Sequence, residues 1–598
     1  MSEPGKKYSW KRFESIRYKK GDFSKRVRKM EKSSLRHARR FVTARLDRLS
    51  LVRRVVVGWV ALVVILAGVS LAQWFGFRAA YLTEAPIKGG AYSEGVLGPL
   101  ESLNPIFART SAEKSAARLL FAGLYNYDTT GNLKSDLAKS VTVNETQTEY
   151  TVALRPSLKW SDGAPLTAKD VVFTVNLLKN PTVRAEISGW NSIRAEQVDS
   201  HTVKFILPGA YAPFMDALTF PVLPEHVLAN VEPASLREDV FGRRPVTSGP
   251  FALRLLQSVA SDGSQKVAHL VANPYYHRGA AKLERFQLHV YGSRGEIEQA
   301  LKTSEIMATP ELSYESQSDR IKSMYAEHSY AINNGVYALF NMRAEITKDK
   351  PVREALSLAV NRQQLVGKLS SAATPLDGPV LANQKSVLPS ASAYDTEKAK
   401  QLLSDAGWVV SGGTRKKDGQ DLSLRLVVLK GTGSSQTANE LAKVWQDKLN
   451  IKVDVEMVDP LDASQSVLQT ILQPRNFDIL IYELVLGGDP DPYAYWHSSQ
   501  ATTGGLNFAN YSNIIADDAL AGGRTRTDKA YRDERYRIFV RQWLSDIPAV
   551  ALYQPNVEYI HSKNVEAVDE NARLVSAEDR FYNVIYWSSD TYPVYKTP

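Results

Sequence analysis

Between Arg54 and Arg78 stand 23 residues, VVVGWVALVVILAGVSLAQWFGF, that carry no charge and include only Ser70 and Gln73 as clearly polar side chains. A run of that length is long enough to cross a bilayer as a helix. It also separates two chemically different parts. Residues 1–54 hold 19 Lys and Arg against 5 Asp and Glu, a net of +14, whereas the residues after 54 hold 55 basic and 59 acidic side chains, a net of −4. The formal charge of +10 therefore comes from the tail alone.

Lys and Arg beside an apolar span stay on the cytoplasmic side. Residues 1–54 accordingly read as a basic cytoplasmic tail, 55–77 as a transmembrane helix, and the remainder as exported to the extracellular or periplasmic face of the cell membrane. A cleaved signal peptide has a short basic start and an apolar core of about 7 to 15 residues; both parts are longer here. Trp59 near one end and Trp74 and Phe75 near the other fit the aromatic belts of membrane interfaces. With no cysteine in the chain, disulfides, thiolate metal sites, cysteine nucleophiles and lipidated cysteine anchors are excluded. Within the tail, Leu35, Ala38, Val42, Leu46 and Leu49 recur at helical spacing among arginines. Two readings stay open for that pattern: a helix lying on the anionic inner leaflet, or a solvated tail whose charge only sets orientation. No aromatic interleaving accompanies the charge, so nucleic acid is not an expected partner.

Beyond a tether of residues 78–88, which reaches at most roughly 40 Å when extended, the pattern is mixed. Alternating stretches at 150–154, 202–206 and 422–428 read as strands. Helical patterns occupy 112–124, 168–178, 352–369, 396–406 and 531–545. Thr167 with Asp170 forms a capping-box signature, and Gly407 follows the stretch ending at Ala406. The class is α/β or α+β.

The stretch EYTVALRPSLKWSDGAPLTAKDVV, from Glu149 to Val172, resembles the extracytoplasmic solute-binding proteins of the peptide/nickel/oligosaccharide family that serve ABC importers, family 5. Further landmarks follow in family order: Leu103-Asn-Pro105, Gly123-Leu-Tyr-Asn-Tyr-Asp128, Thr247-Ser-Gly-Pro-Phe251, Asn273-Pro-Tyr-Tyr276, Val352-Arg-Glu-Ala-Leu356, Asp489-Pro-Asp-Pro-Tyr493 and Asn510-Tyr-Ser-Asn513. The resemblance implies an α/β, two-lobed clamp of three subdomains over 89–598. One lobe is expected at about 86–333 plus 554–598 and the other at about 334–553, with the chain crossing near Asn334 to Leu339 and near Tyr553. It implies an oligopeptide held between hinged lobes and delivered to ABC permease subunits, by a monomeric binding domain that needs no cofactor or metal. Another small solute such as an oligosaccharide, or sensing without transport, stands as the alternative.

For the cleft, the strand-to-turn stretch Leu486-Gly487-Gly488-Asp489-Pro-Asp491-Pro-Tyr493, with Trp496 and His497, places two flexible glycines and two carboxylates beside several rings. Peptide binders of this family offer backbone to the ligand as a strand partner and use an Asp against its α-amino group. The residue aligned with that Asp is Gly488, with Asp489 one place later. Two ligand classes follow: a peptide met by a shifted Asp489, or a sugar stacked on Trp496, Tyr493 and Tyr495. The competing structural roles are helix capping for Asp489 and Asp491, and packing for Trp496 and His497. The resemblance also carries over Glu94, Gly95 and Val96 in the first loop, Ser248 in the Thr-Ser-Gly-Pro turn and Tyr553 at the hinge. Ser248 could equally shape a turn, and Tyr553 could belong to the core.

Catalysis is not expected. Ser111-Ala-Glu-Lys114 matches S-x-x-K, but neither S-D-N nor K-T-G follows, and no H-E-x-x-H, G-x-S-x-G or phosphate-loop pattern is present. The 9 histidines stand singly.

Overall fold

The apolar run forms part of one helix, Arg53–Tyr81, in the computed structural model, which describes residues 53–595 apart from 87, 260–264, 370, 382–390, 430–432, 460–465, 566–568, 570–571 and 590. Val55–Gly76 is apolar enough to span a bilayer. The helix outruns the apolar stretch, because nothing between Phe77 and Tyr81 breaks it, and Leu82–Pro86 is extended. The amphipathic pattern at 35–49 lies outside the described residues.

From Pro86 to Tyr592 the chain is a separate compact unit built on one long mixed sheet. Ten of its twelve strands form one path: β1 (Ala91–Leu97), β2 (Phe251–Ser258), β3 (Lys266–Ala272), β4 (Arg285–Tyr291), β5 (Ala308–Thr309), β6 (Asn334–Phe340), β7 (Ser423–Leu429), β8 (Lys452–Val458), β9 (Ile479–Val485) and β10 (Ala549–Ser562). Their order is β8-β7-β9-β6-β10-β5-β1-β4-β3-β2. The strand β10 joins the two halves: Ala549 to Tyr553 pairs with β6, and Asn556 to Ser562 pairs with Tyr325–Ala331. A smaller antiparallel sheet contains Ala138–Val143, Glu149–Leu154, Thr202–Ile206 and Arg194–Asp199.

The buried apolar residues divide as the sheet does. One cluster draws on residues from Tyr92 to Ile332 and again from Val557 to Trp587. Two others, one on each face of β6, β7 and β9, draw only on residues from Val336 to Tyr553. Alternation puts Val336, Ala338 and Phe340 into one of these cores and Tyr337 and Leu339 into the other. The fold is thus the two-lobed α/β clamp, with the chain passing between cores at Ile332–Asn334 and again at Tyr553–Asn556.

Local signals were followed closely where caps fix them. Helix Ala168–Lys179 starts on the Thr167/Asp170 capping box, and Ser111–Leu120 on a second box made by Thr110 and Glu113; each cap contributes about 1 kcal/mol. The helix expected over 112–124 stops at Leu120, whose carbonyl accepts from Ser248 N (3.1 Å) and Gly249 N (2.8 Å). The helix expected over 352–369 is two, Lys350–Leu358 and Arg362–Val366, because the Asn361 side chain accepts from Gln364 N and starts a new turn.

Candidate functional site

The strand β9 ends at Val485, and the chain then turns through Leu486 to Pro492 at the seam between the lobes. Gly487 has φ +64°, a conformation open to glycine at little cost. The turn is tied to the chain crossing by two bonds: Leu486 N donates to Asn333 O (2.9 Å), and Asn333 Nδ2 to Gly487 O (2.9 Å).

Both carboxylates of the turn are neutralised from within their own lobe. Asp489 takes a two-pronged contact from Arg532 of helix Lys529–Asp546, with Nη1 to Oδ2 at 2.7 Å. Asp491 lies 2.9 Å from Nε of Arg524, the last residue of helix Ile514–Arg524. Burial pushes the Asp491 carboxyl up, and Arg524 opposes the shift. Tyr493 N reaches Asp491 Oδ1 only at 3.4 Å.

The other lobe reaches this turn through Tyr127, Tyr211 and Asp216. Tyr211 donates to Asp491 (3.4 Å), and its ring lies 4.9 Å from the Arg524 guanidinium, which stands 4.2 Å from the Tyr493 ring. Ala212 N donates to Arg524 O (2.7 Å). Tyr127 donates to Asp216, and its ring rests on Gly488. Burial, reinforced by the nearby charge of Asp489, pushes Asp216 up to about 6; burial and Asp216 raise the Tyr127 phenol. Further out, Gln147 and Thr527 exchange two bonds, of 2.7 and 3.3 Å.

Cavities flank the Tyr127–Gly488 contact. One of about 500 Å³ is bordered by both lobes, with Thr130, Asn132 and Arg573 facing Gly488, Pro490 and Lys529. Another of about 350 Å³, within the first lobe, is lined by Arg118, Phe121, Tyr127, Ile187, Pro221 and Val575. At its wall Arg118 bonds Asn126 and stands 3.5 Å from the buried Asp579, whose pKa burial raises to about 6. Volumes of this order suit small ligands or a few side chains.

The remaining expected residues are packed inside the lobes. Glu94, Gly95 and Val96 are not in a loop: they lie in β1, paired with β4 along its length and with β5 at Glu94, and Tyr92 to Val96 are all buried. Glu94 is fully buried against Arg580 and accepts from Tyr559 (2.6 Å). Ser248 accepts from Ala122 N (3.0 Å) and shapes the turn beyond the helix end. Trp496 has no exposed surface and lies edge-on to Tyr337 and Trp543 at 6.0 and 5.4 Å, so neither ring face is open to a sugar. His497 stacks on Tyr493 at 4.1 Å, and burial lowers its pKa. Tyr553 is buried and bonds Thr437 Oγ1 (2.9 Å). Ser111 donates to Glu311 (2.6 Å) and not to Lys114. No group of three potential metal ligands occurs among the described residues.

Tyr127, Tyr211, Asp216, Arg524 and Arg532 belong to the seam without having been expected there. The only advance signal was Tyr127 within the Gly123–Asp128 landmark.

Comparison with known proteins agrees with the fold. The profile of bacterial extracellular solute-binding proteins, family 5 Middle, matches residues 132–507. The oligopeptide-binding protein AppA of Bacillus subtilis is 26% identical over 519 residues, covering 84% of this chain and 92% of AppA. Protein XP55 of Streptomyces lividans is 29% identical over 465 residues, 76% of this chain and 81% of XP55. The structure of B. subtilis AppA in complex with a nonapeptide superposes with TM-score 0.68 at 25% identity, covering 84% of this chain and 99% of that one. CtaP of Listeria monocytogenes shares the fold at TM-score 0.72 and 24% identity, over 84% of this chain and 99% of CtaP.

Proposed function

The chain belongs to the bacterial extracellular solute-binding proteins of family 5, and on that premise we propose that it captures an oligopeptide between its two lobes and presents it to the permease of an ABC importer. The observation that carries this reading is the position of the Leu486–Pro492 turn, at the seam where both lobes contribute groups and beside the cavity they share. A ligand seated there touches both lobes, so its binding energy favours the lobe arrangement that a permease reads. Hinging belongs to Ile332–Asn334 and Tyr553–Asn556, the two short connections between the cores.

A peptide is favoured over a sugar by the packing of Trp496 and by the name and bound nonapeptide of the AppA relative. Both turn carboxylates are held by arginines. The site therefore offers neutralised charge pairs, backbone and polar walls instead of one free anion. Residues 55–77 serve as an uncleaved single-pass anchor, with the +14 tail in the cytoplasm and the clamp outside.

Native mass spectrometry of the full chain in detergent, followed by calorimetry with peptides of graded length, tests the ligand. Co-purified peptides and saturable peptide binding are expected; binding of saccharides or metal complexes in place of peptides overturns the reading. Loss of labelled-peptide uptake on deletion of the protein is expected for an importer, and binding with unchanged uptake indicates a sensor. Protease added to intact cells should remove the clamp and spare the tail; the opposite pattern overturns the topology.

A further inference from the structure

The sheet ends at β2. Among the described residues no backbone group pairs with the outward side of Ala252 to Ser258. Beside it lies a groove of about 750 Å³ whose walls include Arg243, Arg244, Arg254, Leu253, Leu255 and Lys266. Two of the arginines follow the short helical turn Val240–Gly242 and are exposed. The third is the extra residue of a β-bulge, where the pairing with β3 steps from His269–Leu255 to Leu270–Leu253. None of the three arginines forms an ion pair with a carboxylate among the described residues. The ammonium of Lys266 donates to the Leu100 carbonyl (2.7 Å) and forms no ion pair with a carboxylate among the described residues. Glu101 is the single acid of the lining. Leu255, 54% exposed, adds apolar surface between the cations.

This concentration of positive charge stands out on a part of the chain whose net charge is −4. Unpaired arginines beside a carboxylate-poor groove select an anion, and the guanidinium fork suits a carboxylate. The groove is concave, carries leucines and one acid, and runs along unsatisfied backbone. Those features suit an extended polypeptide better than a flat membrane or a phosphate polymer, neither of which uses a strand edge.

We propose that this groove docks an extended, acidic segment of a partner protein, which adds to β2 as a further strand and sets its carboxylates against Arg243, Arg244 and Arg254. The site is distinct from the seam that holds the solute, since the two share no lining residue.

The test uses the full chain in detergent and a fluorescent peptide of alternating Glu and Val, roughly eight residues long to match a strand. Expected are saturable binding, slowed amide exchange at Ala252 to Ser258, and weakening at high salt. Arg243→Glu with Arg244→Glu, and separately Arg254→Glu, should each reduce affinity about tenfold or more. The same peptide N-methylated at alternate residues should not bind. Equal binding of a Lys-Val peptide or unchanged affinity in the variants overturns the proposal. So does exchange protection at 486–497 alone, which would make the probe a solute of the seam. Binding of polyphosphate or of phosphatidylglycerol vesicles with the same variant dependence, and without the Glu-Val peptide, replaces it with a polyanion or membrane site.

Discussion

The ring of Tyr127 lies against Gly488 so closely that a Cβ there would stand 2.5 Å from its Cε1 and Cζ. The two residues come from opposite lobes, so the missing side chain is a condition of the lobes meeting as they do. Gly488→Ala should force the ring or the turn to move, at a cost of about 1–3 kcal/mol. Small-angle scattering should then show an expanded clamp, and solute affinity should fall about tenfold. Adding Tyr127→Ala should recover part of the loss by vacating the space. An unexpanded Gly488→Ala protein would remove this contact from the closure.

The Arg524 guanidinium joins the lobes from three directions: Asp491 beside it, the Tyr493 ring of its own lobe, and the Tyr211 ring of the other. Arg524→Ala leaves the largely buried Asp491 without its cation, costing about 1.5–3 kcal/mol. Distances between fluorophores placed on each lobe should lengthen in the ligand-free variant. Tyr211→Phe keeps the ring and loses only a 3.4 Å bond, so it should change the distance distribution little.

The sequence showed the turn but not its partners, and the reason is physical. Leu486 to Pro492 announces itself through glycine and proline, and the box at Thr167 and Asp170 through fixed local spacing; both are short-range signals. Arg532 and Arg524 sit among many surface-type charges, and only the fold brings them to Asp489 and Asp491. Tyr127 and Tyr211 meet the turn across hundreds of residues of chain, which no local pattern encodes. Glu94, which the resemblance placed in a loop, lies in a strand, and no local pattern shows that Arg580, near the far end of the chain, compensates its charge in the core.

Acid should act on two sets of groups with opposite signs. Burial raises Asp216 to about 6, above its ordinary value, so the folded state holds the proton more tightly. Its stabilising contribution is absent above about pH 6 and grows as pH falls toward 4. Burial, helped by His328, lowers His561, and the stability linked to its neutral form is full above about pH 6.5 and is lost on acidification. In urea unfolding, Asp216→Asn should gain about 1–2 kcal/mol over the parent at pH 7.5 relative to pH 5. His561→Gln should show its gain at pH 5. Variants whose differences from the parent do not depend on pH would refute both assignments.

Glu94 and Arg580 form an ion pair with almost no solvent access, completed by Tyr559 and by Ser115 Oγ at 3.2 Å from the guanidinium. Arg580→Met strands a carboxylate in the core of the first lobe and should destabilise it by about 3–5 kcal/mol, read as a lower urea midpoint. Combining it with Glu94→Gln removes the stranded charge and should restore much of the stability. Solute binding separates this role from a role in recognition. The single variant Glu94→Gln should keep its solute affinity once folded, because Glu94 has no exposed surface. A folded Glu94→Gln protein that had lost its affinity would place Glu94 in the binding site after all, and would require the lobes to open far enough to expose β1.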